Sequence, residues 1–282
     1  MDSSRPVRQK PANLRSAKYF LSAALPVLAA STIMLAAMHG PRSFAAAAGT
    51  QASDQSPNRK DTPQKNGNAS ALLDAYRHVE VASVSDAIEQ LLGKRMYLSH
   101  RMRPLGSARF AGYAVTVRME KQENHDAHAV DGMLQAIDRG EKNSVYVMSV
   151  EDGADVAGMG GLMGIAMAAR EFSGAIIDAA VRDTAYLRKI GFPVYATGTA
   201  PSTLVGHYKC AGTQVPVNID GVTIHPGDLI VADDDGVVVV PGDRAEDILN
   251  LAQQLDFKEH SMYPLIEKTK SIEDAVKQFG RL

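Results

Sequence analysis

The chain has 282 residues, of which 45% are hydrophobic and 22% charged, and its formal net charge is −2. This is the composition of a globular protein with enough apolar residues for a core. Six of the 30 basic residues lie in the first 50 positions beside one acid, which leaves 24 basic and 31 acidic residues in the remainder, a formal charge of −7. An acidic body lacks the positive surface that polyanions need, so the composition argues against nucleic-acid binding.

Residues 1–48 are typical of a secretory signal peptide. A basic start precedes an uncharged, mostly apolar run over residues 19–38, and an alanine-rich stretch with an A-x-A cleavage pattern follows near residues 46–48. The sequence therefore predicts export, to the periplasm or out of the cell, and no membrane contact after cleavage. Because the run approaches the length of a membrane span, an uncleaved N-terminal anchor is the alternative. Residues 49–70 are polar and rich in Gly, Pro, Ser and Asn, which predicts a disordered linker.

Residues 71–282 contain no second linker and no repeat, which predicts one domain. Near its start, Ser83, Ser85 and Asp86 supply the small oxygen-bearing side chains that are typical of a helix N-terminus. The elements predicted for this first part are helices over residues 71–78, 84–92 and 130–138, and strands over residues 110–119 and 144–149.

The middle of the chain alternates between helices and apolar strands. The glycine loop GMGGLMG, residues 158–164, leads into a helix, and an apolar strand follows over residues 175–181. A short helix over residues 184–190 then ends at Gly191, and residues 192–198 form the next predicted strand. Parallel strands buried between helices produce this pattern.

Short strands and turns dominate the C-terminal part. Asp220 and Gly221 separate two short apolar segments, which is a strong hairpin signal. The sequence thus predicts a mixed or antiparallel layer against the β/α core, and an α/β domain with mixed sheets. The elements predicted here are strands over residues 215–219, 222–224, 229–232 and 237–240, and helices over residues 243–262 and 272–279.

The glycine loop is a candidate anion site. Glycines let the backbone approach a ligand closely, and the first N–H groups of the following helix have no partner within the helix. Together these features suit a carboxylate or a phosphate. A tight packing turn is the alternative interpretation of the same glycines.

Arg182 and Asp183 follow the apolar strand at its carboxyl end, where α/β sheets bind ligands. There an arginine can bind a carboxylate with two hydrogen bonds, and an aspartate can ligate Mg²⁺. A surface ion pair, or a cap of the helix over residues 184–190, is the competing interpretation. Twenty residues lie between Gly161 and Arg182, enough for one helix and one strand. The spacing therefore predicts that the loop and the pair face one pocket.

Several separated motifs resemble, in order, those of the regulator of ribonuclease E activity A-like (RraA-like) family, which includes the class II 4-hydroxy-4-methyl-2-oxoglutarate aldolases. The resemblance covers roughly residues 78–250. The motifs are SVSDAI at residues 83–88, RPLGSARFAGYAVTV at 103–117, GGLMGIAMAAREFSGAIIDAAVRD at 160–183, GFPVYATGTAP at 191–201 and GVTIHPGDLIVADDDGVVVVP at 221–241.

The resemblance implies a fold, an assembly and an activity. The fold would be a layered α/β/β, swivelling-type domain over residues 71–282, assembled as a homotrimer or homohexamer with sites between subunits. The activity would be that of a lyase acting on small 2-oxo acids. It would cleave 4-hydroxy-4-methyl-2-oxoglutarate to two pyruvates and decarboxylate oxaloacetate, in both cases through a pyruvate enolate.

The resemblance also implies roles for named residues. Arg182 would bind the substrate and stabilise the enolate, and Asp183 would hold Mg²⁺ or Mn²⁺, with waters completing the shell. Family aldolases commonly carry an acid at the position of Gly161, and some carry one at Tyr186, so an altered substrate or a weak activity is implied here. The backbone groups that would bind the substrate carboxylate are those of Gly160, Gly161, Leu162 and Met163.

Other chemically suggestive residues have structural interpretations. Cys210 is the only cysteine, so it cannot form an intramolecular disulfide, and we interpret it as a packing residue. His125, Asp126 and His128 resemble a metal cluster but favour a polar helix start. The aspartates at 233–235 favour a turn. Asp178, inside the apolar strand, is either a catalytic acid or a partner of a neighbouring loop.

Two further functions compete with the lyase. A non-catalytic binding or regulatory protein on the same scaffold is the main alternative, since regulator members of the family inhibit ribonuclease E. Predicted export counts against that particular partner. Methyltransferase activity ranks lower, because the sequence has no convincing nucleotide-binding fingerprint with its downstream acid.

Overall fold

The computed structural model describes residues 63–106 and 109–280. The predicted signal peptide, residues 1–48, lies outside the described residues, as does the larger part of the predicted linker. Residues 63–70, predicted as the end of that linker, instead form the start of a helix, Pro63–Tyr76. Leu73 and Tyr76 of this helix are buried, and the Tyr76 hydroxyl donates to the carbonyl of Ala245 at 2.7 Å. These contacts anchor the helix to the domain.

The elements follow in this order: α1 (Pro63–Tyr76), α2 (Val81–Leu92), β1 (Arg103–Pro104), β2 (Phe110–Lys121), α3 (Asp131–Arg139), β3 (Ser144–Val150), β4 (Ala157–Met159), α4 (Gly161–Ala169), β5 (Gly174–Val181), α5 (Thr184–Ile190), β6 (Val194–Thr199), β7 (Tyr208–Thr213), β8 (Val217–Ile219), β9 (Val222–Ile224), β10 (Leu229–Asp233), β11 (Gly236–Val240), α6 (Ala245–Thr269) and α7 (Ile272–Phe279).

A mixed sheet of nine strands forms a nearly closed barrel. Strands β6, β5, β3 and β2 are parallel neighbours, and antiparallel β10 and β11 continue the sheet beyond β2. The segment before β1 closes most of the gap: Leu98 donates its N–H to Val237 of β11, while β1 pairs with β6. The prediction of a single α/β domain with a mixed sheet is confirmed. The predicted layers are joined into one sheet, because β2 pairs with β3 on one side and with β10 on the other.

Alternating side chains along the strands divide the core between the two faces of the sheet. Val145 and Val147 of β3 pack on the concave face with the β8–β9 hairpin, whereas Tyr146 and Met148 pack on the outer face with α3, α4 and α5. A separate cluster joins α1, α2 and α6 to β10 and β11. Because helices cover the outer face of β5, its eight residues can be apolar with one exception, Asp178.

Helix α2 begins earlier than the sequence predicts. It starts at Val81 rather than at residue 84, and its N-cap is Glu80, not one of the small polar residues that follow. The N–H of Val81 donates to Asp233 Oδ2 at 3.0 Å. Thus a buried carboxylate 152 positions away takes the place of a local cap. Among the described residues, no helix has both the length and the apolarity required to cross a bilayer.

Candidate active site at the end of β5

Arg182 and Asp183 lie where β5 ends, as their position after an apolar run predicts. The N–H of Arg182 donates to Met159 of β4 at 2.9 Å, so strand pairing fixes the pair beside the glycine segment. Asp183 then adopts a left-handed backbone conformation, with φ 57° and ψ 32°, before α5 begins. Such a conformation is unfavourable for most residues but is tolerated by aspartate. It turns the chain sharply between β5 and α5.

The glycine segment meets this turn directly. The N–H of Gly161 donates to Asp183 Oδ2 at 2.9 Å. A Cβ atom at Gly160 would lie 2.7 Å from Asp183 Oδ2 and 3.0 Å from Arg182 Cγ, which is too close for any other residue without rearrangement. The two motifs therefore lie side by side, and a side chain at position 160 would have to displace the Asp183 carboxylate or the Arg182 side chain.

Asp183 occupies the N-cap position of α5 but does not cap it: its side chain forms no capping bond there. The carboxylate instead accepts the N–H of Gly161, at the start of α4. The N–H of Gly161, which the resemblance assigns to the substrate carboxylate, is therefore already bonded within the protein. The first hydrogen bond within α4 runs from the N–H of Gly164 to the carbonyl of Gly160, at 3.1 Å. The N–H groups of Leu162 and Met163 come before this bond, so they have no acceptor within the helix.

Arg182 is held from the opposite side by a residue that the sequence did not single out. Its Nη1 donates to the carbonyl of Ser202 at 3.1 Å. The Ser202 hydroxyl in turn accepts the N–H of Ala157 and donates to the carbonyl of Asp155, both at 2.9 Å. Ser202 thus connects the loop after β6 to β4 and to Arg182. The available signal was weak: a serine shortly after a predicted strand.

The guanidinium of Arg182 keeps donors available for a ligand. Its side chain is 47% exposed, and its Nε lies 4.0 Å from Asp183 Oδ2. A guanidinium has five N–H donors, and the contact with Ser202 uses one of them. The half-exposed side chain lies beside the start of α4, since a Cβ atom at Gly160 would be 3.2 Å from Arg182 Nε. An arginine and a helix N-terminus can therefore both approach one carboxylate.

Two cavities meet at this turn. One, of about 480 Å³, is lined by Arg182, Asp183 and Thr199, and the other, of about 570 Å³, by Gly161, Leu162 and Tyr186. Asp183 and Thr184 line both. Arg182 and Asp183 are the charged residues of these linings. The first cavity is polar and the second largely apolar.

The carboxylate oxygens at this turn suit a loosely held divalent cation. Asp183 is 54% exposed, and one of its oxygens is engaged by Gly161. Within residues 63–106 and 109–280, no three His, Cys, Asp or Glu side chains are grouped to hold a metal. Mg²⁺ commonly uses one or two carboxylates and keeps several waters, which suits this arrangement, whereas a closed zinc site needs three or four protein ligands.

Two of the other candidates lie near helix starts. The carboxylate of Asp126 accepts the N–H of His128, whose ring pairs with Asp131 at 2.8 Å in the first turn of α3. That is the polar helix start favoured by the sequence. Asp233 is buried, and besides binding Val81 it accepts the N–H of Asp235 at 3.0 Å, so it stabilises the turn between β10 and β11.

Asp178 and Cys210 are held by structural contacts. Asp178 pairs with Arg101 at 2.6 Å, and Arg101 also bonds Asp220 at the β8–β9 turn. Burial raises the pKa of the Asp178 carboxyl, and Arg101 opposes that shift. Burial also raises the pKa of the Cys210 thiol, whose sulfur packs against Gly132 in α3. These residues lie outside the two cavities at Arg182.

Residues 81–239, more than half of the chain, match the family model described as Aldolase/RraA. The chain belongs to the RraA-like family. The match includes both motifs of the candidate site and ends within β11. The residues that define the site, and the strands from β1 to β10, therefore fall inside the part of the chain that the family shares, whereas α1, α6 and α7 lie outside it.

Individual relatives of this RraA-like protein extend the comparison. DlpA of Legionella pneumophila is 28% identical over 223 residues, 79% of this chain but 36% of DlpA, so the chain spans little more than a third of that relative. A Halalkalibacterium halodurans protein provisionally named as a 4-hydroxy-4-methyl-2-oxoglutarate aldolase is 30% identical over 193 residues. The alignment covers 65% of this chain and 82% of that protein.

A solved structure is similar as well. The crystal structure of Streptomyces coelicolor RraAS2, described as an unusual member of the RNase ES inhibitor RraA family, superposes with a TM-score of 0.61 at 26% sequence identity. The superposition covers 68% of this chain and 96% of RraAS2.

Proposed function

We propose that this RraA-like protein is a divalent-metal-dependent lyase that acts on 2-oxo acids through a pyruvate enolate, as a 4-hydroxy-4-methyl-2-oxoglutarate aldolase does, with oxaloacetate decarboxylation as a second activity. The observation that carries the proposal is the hydrogen bond from Gly161 to Asp183, which places the start of α4 beside Arg182 and Asp183, where two cavities meet. The provisional name of the Halalkalibacterium halodurans relative supports the same reaction class.

The substrate carboxylate would bind between the start of α4 and Arg182. The N–H groups of Leu162 and Met163 and the positive end of the helix dipole favour an anion there. Arg182 would add a charge-assisted bond and would also stabilise the negative charge that develops on the enolate oxygen. The carbonyl of Ser202 and the carboxylate of Asp183 flank the guanidinium and would help to orient it toward the substrate.

Asp183 is the residue that would hold Mg²⁺ or Mn²⁺. When bound, such a cation supplies a Lewis acid for the 2-oxo group. The two cavity linings contain no histidine and no carboxylate besides Asp183, so we propose water as the proton carrier of the reaction. The side chains of this chain would then bind and orient the substrate rather than transfer protons.

The test is an assay of pyruvate release by the purified full-length protein. The substrates are 4-hydroxy-4-methyl-2-oxoglutarate and oxaloacetate, each with Mg²⁺, with Mn²⁺ and with chelator. We expect turnover that chelator abolishes and that falls at least about a hundredfold in Arg182→Ala and Asp183→Ala. Arg244 and Asp247 form an exposed ion pair on another part of the surface, so Arg244→Ala and Asp247→Ala are matched controls.

A folded protein without turnover under any of these conditions would contradict the lyase and favour the second candidate, a non-catalytic binding protein. The similarity to RraAS2, from a family of RNase ES inhibitors, is the observation that favours this alternative. In that case the cavity lined by Arg182 would bind a small carboxylate without converting it. Equilibrium dialysis with pyruvate would then measure binding directly.

We also propose that the protein assembles as a homotrimer or homohexamer, the assembly that the family resemblance implies. Large apolar side chains on α6 and α7 support self-association: Phe257 is 74% exposed and Ile272 60%. Sedimentation equilibrium of the full-length protein tests this proposal. A monomer at micromolar concentration would contradict it.

Export is proposed from the signal-peptide pattern of residues 1–48. The test is fractionation of cells that express the full-length chain with a C-terminal tag, together with the mass of the product. A processed protein in the periplasm or medium supports cleavage, and a full-length protein in the membrane fraction supports the N-terminal anchor. A full-length protein in the cytoplasm would contradict both.

A further inference from the structure

We infer that this protein has a second ligand site, for a small carboxylate with a short aliphatic chain, in a cavity between α3 and the start of β3. We call it the α3 cavity; its volume is about 290 Å³, and Tyr113, Arg139, Ser144 and Gln214 are among the residues that line it. The inference does not depend on the proposed lyase function, because the site is separate from the one at Arg182.

The α3 cavity lies at the opposite end of the sheet from Arg182. Ser144 is the first residue of β3, and β3 runs parallel to β5. Arg182 follows the last residue of β5, so the eight residues of that strand, roughly 25 Å, separate the two positions. A small ligand in the α3 cavity therefore cannot reach Asp183 or a cation held there. Residues of α3, β2, β3 and the segment after β7 supply its walls, all from one chain.

Arg139 supplies the positive charge of the α3 cavity. It lies in the last turn of α3, and in the part of the chain that the structure describes its guanidinium has no ion pair and no hydrogen bond. Next to it, Arg170 Nη2 donates to the carbonyl of Gly140 at 3.1 Å, which partly compensates the negative end of the helix. All five N–H donors of Arg139 are thus free to bind a carboxylate, two of them at once.

Neutral side chains add further donors to this lining. The Tyr113 hydroxyl has no partner within the described residues, and burial raises its pKa, so it keeps its proton at neutral pH. Ser144 is buried, and its hydroxyl is likewise unbonded there. Gln214 Oε1 accepts the N–H of Thr116 at 3.2 Å, which leaves the amide NH₂ group without a partner. Polar groups that converge unbonded on one cavity are typical of a site for a ligand.

The rest of the lining fits a short apolar chain with a single charge. Ala114, Val115 and Ala136 are buried and present small apolar surfaces. Glu141 is the one carboxylate of the lining and disfavours a second negative charge on the ligand. The volume is near the lower end of the range for small-molecule sites, about 300 Å³. A monocarboxylate with a few carbon atoms therefore fits best.

The experiment measures binding of butanoate to the full-length protein by saturation-transfer NMR, with a chelator present. Butanoate has no 2-oxo group, so it is a poor ligand for the site at Arg182. We expect saturable binding with a Kd of about 1 mM, unchanged in Arg182→Ala. The absence of saturable binding up to about 50 mM, or its loss in Arg182→Ala, would overturn the inference.

Two substitutions in the lining should change the affinity in opposite directions. Arg139→Ala removes the cation and should weaken binding about tenfold or more, whereas Glu141→Gln removes the competing charge and should strengthen it about threefold. Arg103→Ala is the matched control, because Arg103 is an exposed arginine of β1 outside the α3 cavity. An equal loss in Arg103→Ala and Arg139→Ala would mean that only the general surface charge matters, and the inference would be wrong. Circular dichroism verifies folding of each variant.

Two further measurements test the class of ligand and the access to the cavity. Inorganic phosphate lacks the aliphatic chain, so we expect it to bind about tenfold more weakly than butanoate, and equal or tighter binding would contradict the assignment to carboxylates. Sedimentation of Arg139→Ala tests whether a neighbouring copy of the chain fills the cavity instead. A reduced mass of this variant, together with no binding of butanoate to the wild type, would make the cavity a subunit contact and overturn the inference.

Discussion

The carboxylate of Asp183 accepts the N–H of Gly161 at 2.9 Å, and this single bond joins the end of β5 to the start of α4. It gives Asp183 two functions: one oxygen fixes the backbone, and the other remains available to a cation or to water. The bond also holds the start of α4 beside Arg182. The three components of the candidate site therefore depend on one another.

Replacing Asp183 separates these two functions. In Asp183→Asn the amide oxygen can still accept the N–H of Gly161, and asparagine tolerates the left-handed backbone, so we expect nearly unchanged stability. Asp183→Ala loses the bond and should lower the free energy of unfolding by about 1 kcal/mol. Both variants lose the charge that would bind the cation, so both should lose pyruvate release. Urea unfolding and the pyruvate assay provide the two measurements.

An Asp183→Asn variant that keeps full activity in the presence of Mg²⁺ would exclude the proposed role of the carboxylate. A variant that loses activity and stability together would not separate the functions, so the comparison with Asp183→Ala is essential. The expected pattern is equal loss of activity in the two variants but a loss of stability in the alanine variant alone.

Gly160 provides a steric test of the same geometry. In Gly160→Ala the new methyl group would lie 2.7 Å from Asp183 Oδ2, so the carboxylate must move. We expect at least about a tenfold fall in kcat/KM and a loss of about 1–3 kcal/mol in the free energy of unfolding. Gly198→Ala is the matched control, since a Cβ there has no atom within 4 Å. Equal effects of the two substitutions would show that the close packing at Gly160 is irrelevant to the site.

Local patterns predicted the elements that carry the site. The apolar run before Arg182, the glycine at the end of α5 and the Asp220–Gly221 hairpin each follow from the chemistry of neighbouring residues, and the structure contains all three. The strand order could not be read in this way. Strand β2 pairs with β3 and β10 and, further along, with β7, a strand that the sequence did not predict.

Contacts between distant residues account for the remaining differences. Asp233 serves as the acceptor for the first N–H of α2, which shifts the helix start away from the local serines. Ser202 reaches Arg182 only because the loop after β6 folds back over β4. Neither partner can be inferred from a short window of sequence, since each depends on the completed sheet.

Ser202 should act as a positioning residue for Arg182. Ser202→Ala removes the hydroxyl that binds Ala157 and Asp155, so the loop whose carbonyl holds the guanidinium becomes less constrained. We expect KM for the 2-oxo acid to rise about tenfold with a smaller change in kcat, because the arginine is still present but less ordered. Ser202→Thr retains the hydroxyl and should restore KM.

Ser261→Ala is the control for that prediction, because the Ser261 hydroxyl also bonds a backbone carbonyl but lies on exposed α6. A purely structural role for Ser202 would lower stability without changing KM. That outcome would show that Arg182 keeps its position without the loop.

Asp178 should make stability depend on pH. Burial raises the pKa of its carboxyl above the ordinary value of 3.8, while Arg101 opposes the shift and Asp220 adds to it. The folded protein therefore binds this proton more tightly than the unfolded chain does. Its stabilising contribution is complete below pH 3.8 and is lost as the pH rises through the raised pKa. In Asp178→Asn the amide cannot ionise, so this loss does not occur.

The free energies of unfolding of the Asp178→Asn variant and the wild type should consequently be similar near the acid end of the range. The difference should grow in favour of the variant as the pH rises, and level off above the raised pKa. Urea unfolding, followed by circular dichroism at a series of pH values at which both proteins are folded, measures the difference directly. A variant that becomes relatively less stable toward neutral pH would mean that the ion pair with Arg101 outweighs the effect of burial, and the direction of the pKa shift would be wrong.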